Sequence, residues 1–206
     1  MIELLITPLQ FGIPNSRLRY YLLAKHGPQS FAGTGGEVDR VWRHIPGHGS
    51  DWVDTRAQSS EEATDAAVAR SANKVLEKWG RLFDIVLPSS RRTCCFTRGY
   101  TKLVERAGSV LQMNEDLDTT TTFDAFLAAQ HAGDEDAVRL LRPLRLRYFS
   151  PTELLRLFAF MPPSSTGDAG EQFMWPEDIS TKTKYKLIGN SVNVRVVTEL
   201  INYLFE

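Results

Sequence analysis

The chain has 206 residues, of which 42% are hydrophobic and 24% are charged, and its 24 Lys and Arg nearly balance its 25 Asp and Glu. This composition excludes a wholly disordered chain, and a formal net charge of −1 excludes a uniformly basic nucleic-acid binder while allowing local basic patches. No apolar run approaches the roughly 20 residues that span a membrane, and the first residues lack the layout of a signal peptide.

The first predicted elements are two strands, Glu3–Ile6 and Arg17–Lys25, joined by a connector that contains Gly12 and Pro14. The chain therefore begins almost directly on a strand, whereas most domains carry a few loose residues first. Residues 26–58 hold six of the 14 glycines and are predicted to be loop, with a short strand around Val38–Trp42.

Two arginines of the second strand point to possible chemistry. Arg17 and Arg19 lie two residues apart, so on a strand they face the same way at a separation of about 6.6–6.8 Å. Two guanidinium groups in this position can hold a carbonyl and a phosphate at the same time. The alternative is an edge strand whose charges discourage aggregation. The residues alone leave both interpretations open.

The middle of the chain is predicted to form a helix followed by an extended piece. Ser59 or Ser60 caps this helix, its apolar residues recur at helical spacing, and Gly80 ends it. Phe83–Leu87 then has the pattern of a short extended segment.

The last third of the chain is predicted to be mainly helical. Residues 150–153, Ser-Pro-Thr-Glu, have the form of a capping box and open a helix over 152–160 that a proline pair ends. Two further helices, Lys182–Ile188 and Val192–Phe205, are separated by Gly189-Asn190. The broad apolar face of the last helix must dock on another element.

Charge is segregated along the second half of the chain. Residues 91–106 carry five basic residues against one acid, residues 112–136 carry seven acids and no Lys or Arg, and residues 139–147 carry four arginines and no acid. One interpretation is a set of solvated faces that neutralise one another. The other is a phosphate-binding strip built from the two basic segments. Charge alone favours the first.

Common cofactor and metal patterns are not found in the sequence. Residues 33–36 lack the spacing of a dinucleotide fingerprint, and the turn residues between His44 and His48 preclude a helix that would aim both at one metal. Cys94 and Cys95 are adjacent, a spacing that strains a disulfide. We therefore expect free thiols and a reducing compartment, the cytoplasm or the nucleus.

Residues 12–25, 91–112, 144–163 and 185–206 together resemble one family, the cytosine-C5 methyltransferases. The first segment is similar to the family's Arg-X-Arg motif, and the last two are similar to its ninth and tenth motifs. The tripeptide Cys95-Phe96-Thr97 resembles one found in the eukaryotic type-two branch, whose substrate is tRNA-Asp. The segments follow the family's order and span nearly the whole chain.

This resemblance implies an α/β fold, the C-terminal part of a Rossmann-like class I methyltransferase sheet with a small mixed α+β target-recognition region. Residues 1–27 would end the catalytic-domain sheet, residues 28–147 would form the recognition region, and residues 148–206 would be C-terminal helices that return to the catalytic domain. The family's glycine-rich cofactor segment, Pro-Cys nucleophile and Glu-Asn-Val segment have no match here. We therefore expect the C-terminal half of such an enzyme, which also accounts for the abrupt start.

The family's reaction transfers the methyl group of S-adenosylmethionine to C5 of a cytosine after a cysteine thiolate has added to C6. By resemblance, Arg17 and Arg19 would orient the extruded base. Asn190 and Ser191 would contact the cofactor at what the sequence predicts to be a helix start, where free N–H groups favour an anion. Without the nucleophilic Cys and the acidic Glu, the chain alone is predicted to be inactive, and a separate N-terminal half is a candidate partner.

The resemblance also raises the RNA-binding interpretation of the first basic segment above that of a solvated face. Two alternatives stay open, a non-catalytic RNA-binding fragment and a DNA-directed relative, although the Cys-Phe-Thr tripeptide argues against DNA. The residues expected to face tRNA are Arg91, Arg92, Cys95, Phe96, Thr97, Arg98 and Lys102.

Overall fold

The computed structural model of the chain describes residues 1–36, 40–48, 68–103, 105–161 and 173–206, with side chains described from residue 74 onward in the helix that begins at Val68. The start of the predicted capped helix and the proline pair at 162–163 lie outside these residues. In the part described, no helix is long and apolar enough to cross a membrane.

The first sheet has three strands, β1 (Ile2–Ile6), β2 (Arg19–Leu23) and β3 (Val41–Trp42), in the order β2-β1-β3. β2 pairs with β1 antiparallel and β3 pairs with it parallel. The predicted second strand is shorter than expected, because ladder pairing with β1 begins only at Arg19 and stops at Leu23. Arg17 therefore lies just outside the ladder.

One face of this sheet is covered by the C-terminal helix α5 (Val194–Phe205). Alternate residues of β1 point inward and pack with residues spaced three and four apart on α5, as the two periodicities predict. The buried residues shared by these elements are Ile2, Leu4, Ile6, Trp42, Val196, Leu200 and Tyr203.

On the opposite face of the sheet, apolar side chains are left exposed by the described residues. Leu18, Tyr20 and Leu22 are 52%, 54% and 53% exposed. The sequence predicts that these residues fill a face, but nothing in the described part of the chain packs over them. The exposed apolar surface expected for a partial catalytic sheet is therefore present here.

The second sheet consists of β4 (Ile85–Val86), β5 (Val110–Gln112) and β6 (Leu146–Tyr148), with β4 parallel and β6 antiparallel to β5. Helices α1 (Val68–Trp79) and α2 (Thr119–His131) belong to this part of the fold. A 3-10 helix over 137–144 packs on α2 through a cluster formed by Phe123, Phe126, Ala137, Val138, Leu141 and Leu144. Neither α2 nor this short helix is predicted from the sequence, because threonines and acids interrupt the apolar pattern of both segments.

Helix α3 (Pro151–Leu157) begins with the predicted capping box: Glu153 N–H donates to Ser150 Oγ at 3.2 Å and Ser150 N–H donates to Glu153 Oε2 at 2.7 Å. The helix ends earlier than predicted, since Ala159 adopts a left-handed conformation at φ 58°. The buried Glu153 carboxylate also binds the guanidinium of Arg147 at 2.7 and 2.8 Å.

The predicted break between the last two helices is misplaced. Helix α4 (Thr181–Asn190) continues through Gly189 and Asn190, and α5 begins only after Asn193, whose side-chain oxygen accepts from the backbone N–H of Val196 at 3.3 Å. Asn193 is the stronger helix start, because its amide caps α5 while its Nδ2 donates to the Leu157 carbonyl at 3.0 Å.

The proposed boundaries at residues 27 and 147 stay a prediction. β3, inside the range 28–147, pairs with β1 of the first sheet, and β6 crosses the second boundary.

Candidate functional site

Arg17 is the centre of the site and is only 4% exposed. Its Nη1 donates to the Phe96 carbonyl at 2.7 Å, and its Nη2 donates to the carbonyls of Ser191 at 2.6 Å and Gly189 at 3.1 Å. The guanidinium carbon also lies 5.2 Å from the centre of the Phe158 ring. One side chain therefore joins the segment before β2, the Cys-Phe-Thr tripeptide and the end of α4.

The charge of Arg17 is retained despite its burial. Desolvation lowers the pKa of this guanidinium, but an ordinary arginine value is so far above neutrality that the group stays protonated. Its Nε is buried and has no hydrogen-bond partner among the described residues. Most of its donors are used by backbone carbonyls, so Arg17 is built into the fold rather than presented to solvent.

Arg19 is exposed and approaches the same thiol as Arg17. Its Nη2 lies 3.8 Å from Cys95 Sγ, while Arg17 Nη1 lies 3.5 Å from that sulfur. The other Arg19 nitrogen, Nη1, donates to the Leu18 carbonyl at 2.8 Å. The two guanidinium groups therefore lie on one side of the chain, as their spacing predicts, but only Arg19 has donors free to face a ligand.

The two neighbouring thiols have different surroundings. Burial raises the pKa of Cys94 to about 11, and nearby Asp84 adds to that rise while Ser109 opposes it. The Cys94 N–H donates to Asp84 Oδ2 at 3.1 Å and to Ser109 Oγ at 2.8 Å. At neutral pH Cys94 is a protonated thiol and not a nucleophile. Cys95 is half-buried and its sulfur lies between the two arginines.

Phe96 does not face RNA, contrary to the sequence expectation. Its side chain is fully buried, with ring centres 5.0 Å from Tyr100 and 5.2 Å from Phe149, both edge to face. Gly108 allows this close packing, because a Cβ there would lie 2.5 Å from both rings of the Phe96–Tyr100 pair and its φ is 146°. Aromatic residues between basic ones are compatible either with a hydrophobic core or with a surface on which bases stack. Here Phe96 and Tyr100 are in the core.

The cationic residues of the same segment do lie at the surface. Arg92, Arg98 and Lys102 are exposed, as is Arg91, and Thr97 is half-buried with its N–H donating to the Ala107 carbonyl at 2.9 Å. For Arg92, Arg98 and Lys102, the described residues provide no ion-pair partner.

The turn at Asn190–Ser191 has the opposite polarity to the one predicted. Asn190 is the last residue of α4 and Ser191 is its C-terminal cap, with Ser191 Oγ donating to the Ile188 carbonyl at 2.6 Å. This is the negative end of a helix, so the argument that free N–H groups bind an anion there is wrong. Asn190 itself is exposed.

Gly189 is a site residue, whereas the sequence predicts only that it separates two helices. A Cβ at this position would lie 2.2 Å from the Thr97 carbonyl carbon and 2.3 Å from the Arg98 nitrogen. Because glycine has no side chain, α4 can lie directly against the backbone of Thr97 and Arg98, in the segment 91–102 that is called the recognition segment below. Its sequence signal is a glycine inside a helix, which often marks a close approach.

A second missed feature fixes the connector before β2. Thr93 N–H donates to the Pro14 carbonyl and Ser16 N–H donates to the Thr93 carbonyl, both at 2.9 Å. Asn15 between them is fully buried and its Nδ2 contacts Thr93 Oγ1 at 3.4 Å. Residues 78 apart in the chain are thus paired, which no local pattern indicates.

Curated relatives align with almost the whole chain. The tRNA (cytosine(38)-C(5))-methyltransferase of Schizosaccharomyces pombe is 36% identical, covering 100% of this chain and 55% of that protein. The protein of the same name from Homo sapiens is 30% identical, covering 99% and 63%. A DNA (cytosine-5)-methyltransferase of Dictyostelium discoideum is 29% identical, covering 98% and 56%. No protein-family model matches the chain.

Solved structures give the same result for the fold. A DNMT2 variant from Spodoptera frugiperda aligns with a TM-score of 0.78 and 33% identity, covering 100% of this chain and 57% of that one. The Dnmt2 methyltransferase of S. pombe aligns with a TM-score of 0.65 and 34% identity, covering 99% and 56%.

The chain spans a little over half the length of the curated relatives it matches, between 55% and 63% for the two tRNA methyltransferases described. The methyltransferase α/β fold predicted from the sequence is confirmed by these neighbours. The resemblance inferred from four segments is likewise confirmed along the whole chain. Along nearly its whole length, the chain is similar to tRNA (cytosine(38)-C(5))-methyltransferases and to the solved DNMT2 structures.

Proposed function

We propose that this chain is the part of a tRNA cytosine-C5 methyltransferase that presents the base-orienting arginine, the RNA-recognition surface and one wall of the cofactor pocket. The observation that supports this most directly is Arg17, whose guanidinium holds the carbonyls of Phe96, Gly189 and Ser191 together. Through these three hydrogen bonds, one side chain holds the recognition segment and the end of α4 close to Arg19.

Arg19 has the exposure that orientation of an extruded cytosine requires. Its guanidinium can donate to the carbonyl oxygen of the base and stabilise the negative charge that develops when a thiolate adds to C6. Arg17 acts through position, because its Nη donors are engaged by backbone carbonyls and its Nε is buried. The two arginines of the motif therefore have different tasks, one touching the base and one holding its surroundings.

The nucleophile in this proposal comes from polypeptide outside this sequence. Cys94 is buried and protonated, with its pKa raised to about 11, so it does not supply a thiolate at neutral pH. Cys95 follows Cys94, whereas the nucleophile of the family follows a proline. The acidic residue that protonates the base at N3 likewise belongs to the part not covered.

S-adenosylmethionine is the cofactor we propose, and it supplies the methyl group. Asn190 is exposed at the end of α4, and its amide both donates and accepts, so it fits a polar group of this cofactor. The Ser191 hydroxyl donates to Ile188 and still has acceptor capacity. Because this is the negative end of α4, a hydrogen-bond donor of the cofactor fits better here than its carboxylate.

The proposed substrate is tRNA, the molecule named in the S. pombe and human relatives. The exposed Arg92, Arg98 and Lys102 provide the positive charge for its backbone. An anticodon-loop base is extruded more easily than one in a duplex. We place the protein in the cytoplasm or the nucleus, where tRNA is available.

The uncovered face formed by Leu18, Tyr20 and Leu22 is where we propose that the N-terminal half of the catalytic domain docks. These side chains are more than half exposed, and the relatives are longer than this chain. Buried against a second half, they would contribute on the order of 1–2 kcal/mol each.

Complementation tests the enzyme proposal. The chain is mixed with a separately expressed N-terminal half, radiolabelled S-adenosylmethionine and tRNA-Asp, and label in the RNA is counted. We expect transfer with both halves and none with the chain alone. Transfer by the chain alone would contradict the external nucleophile, and no transfer from any mixture, when the joined protein is active, would contradict assembly from halves.

A non-catalytic RNA-binding fragment is the second candidate, favoured by the protonated state of Cys94 and the exposed basic surface. It predicts RNA binding without labelled product in the same assay.

A DNA substrate is the third candidate, favoured by the name of the Dictyostelium relative. A competition assay separates the DNA candidate from the tRNA candidate. Unlabelled tRNA or a DNA of equal length is added to the chain with bound labelled RNA, and we expect only tRNA to displace the label at equal ionic strength.

A further inference from the structure

Two exposed lysines form a row on α4 outside the site described above. Lys182 and Lys186 are four residues apart in this helix and both are exposed, so they lie on one face with about 6 Å of rise between them. Asn190, also exposed, continues the same face by one turn. The row therefore leads to the turn that Arg17 holds.

This arrangement is electrostatically unfavourable for the helix. α4 contains three lysines and no acid, and Lys182 and Lys184 lie in its first turn, where the helix dipole disfavours cations. Lys182 and Lys186 also repel each other as like charges at i and i+4. Neighbouring α5 instead pairs Arg195 with Glu199 at 2.7 Å.

Neither lysine of the row is neutralised within the described chain. Glu177 and Asp178 precede α4 and are exposed, but no ion pair joins either acid to Lys182 or Lys186. Residues that weaken their own element without a compensating contact often serve a function. A polyanion is the class of partner that would compensate two unpaired cations on one face.

The position of α4 connects this row with the recognition segment. Gly189 packs directly on the backbone of Thr97 and Arg98, and Arg17 donates to the Gly189 carbonyl at 3.1 Å. The exposed Arg98 therefore lies at the end of the row where α4 meets the segment 91–102. The two cationic surfaces are held together by backbone contact rather than by a flexible loop.

We propose that the face of α4 formed by Lys182 and Lys186 binds the phosphate backbone of the RNA strand that flanks the nucleotide presented at Arg19. This inference rests on the proposed RNA substrate and extends its surface to an element outside the basic segment 91–102. Lysines one helical turn apart match neighbouring phosphates of an extended strand. Such contacts add affinity and register but carry no base preference.

The test compares two double variants of equal charge change. Lys182→Gln/Lys186→Gln removes the row, and Lys74→Gln/Lys78→Gln removes two exposed lysines of α1, which packs beside the 3-10 helix 137–144. Affinity for an anticodon stem-loop RNA is measured by fluorescence anisotropy between about 50 and 200 mM salt. Circular dichroism melts confirm that each variant is folded.

We expect removal of the row to lower the slope of log affinity against log salt by about 1.4, or roughly 0.7 for each lost phosphate contact, and to weaken binding about tenfold. The α1 variant should keep the original slope, and Lys182→Arg/Lys186→Arg should retain binding. An unchanged slope in the α4 variant, or equal losses in both variants, overturns this inference and leaves the RNA proposal standing. No RNA binding by the original chain overturns both.

Discussion

Residues 139–147 and residues 91–102 are both basic segments, but the folded chain uses their charges in different ways. In the first, Arg139 and Arg147 bind carboxylates at 2.8 and 2.7 Å, one at the surface and one beside a buried acid. In the second, the exposed Arg92, Arg98 and Lys102 have no such partner among the described residues. Sequence charge treats the segments alike, whereas folding pairs two of the four arginines of the first segment with acids and pairs none of Arg92, Arg98 and Lys102 with a described acid.

The difference shows what identifies a nucleic-acid surface. A basic residue is available to bind a phosphate only if no carboxylate binds it in the folded chain. A cation in an ion pair has already given up its hydration for contact with an anion. Two of the later arginines have found acids, Arg139 at Asp134 and Arg147 at Glu153. Four experiments, from the largest expected effect to the smallest, test this distinction and the roles of the groups around it.

Arg17→Ala should have the largest effect, because it removes the cation that docks the second segment on the rest of the fold. The carbonyls of Phe96, Gly189 and Ser191 would lose their donor while buried, which costs about 3–5 kcal/mol of unfolding free energy. Chemical denaturation measures this loss. The matched control is Arg19→Ala, which is exposed and should change stability by less than about 0.5 kcal/mol. Equal losses would contradict the division of tasks between the two arginines.

Arg147→Gln should have the next largest effect, on stability and not on RNA binding. Glu153 would be left buried without its guanidinium partner, and we expect a loss of about 2–3 kcal/mol, reduced from that of a fully buried pair because Arg147 is partly exposed. Arg139→Gln is the control from the same segment, and its exposed pair should leave the melting temperature nearly unchanged. If the Arg147→Gln variant is fully folded but binds RNA more weakly, residues 139–147 would also belong to the RNA-binding surface.

Arg92→Gln/Arg98→Gln/Lys102→Gln should have the reverse outcome. We expect the salt slope of RNA binding to fall by about 2, or roughly 0.7 for each contact, with little change in unfolding free energy. Filter binding across a salt series measures the slope. An unchanged slope would show that these exposed cations are a solvated face, as charge alone favours.

Alkaline pH should act through the Cys94 thiol, and its effect is the smallest of the four at neutral pH because this thiol titrates only above about pH 9. Its pKa is raised from 9.0 to about 11 in the folded chain, so the folded state holds its proton more tightly than the unfolded state. The resulting stability is fully present below pH 9 and is lost as pH rises toward 11. Denaturation of the original chain and of Cys94→Ser over this range should show a steeper decline in the original. Parallel declines would contradict the raised pKa.

The local elements were predictable where a residue pattern acts over one or two turns. The capping box at Ser150 and Glu153 formed as predicted, and so did β1, because hydrogen bonds over three residues and alternation along a strand need no distant partner. The break before α5 was misplaced, because Asn193 and Gly189 both resemble helix ends. Only the contact of Gly189 with Thr97 explains why α4 passes through it.

The sequence by itself determined the resemblance to cytosine-C5 methyltransferases, the separation of charge, and the shared side of Arg17 and Arg19, since each depends on residue identity or on the two-residue repeat of an extended chain. Only the tertiary structure decided that Arg17 is buried, that Phe96 is core, and that α4 lies on the recognition segment. Burial and pairing depend on chain segments brought together from positions as far apart as 17 and 191. No local pattern carries that information.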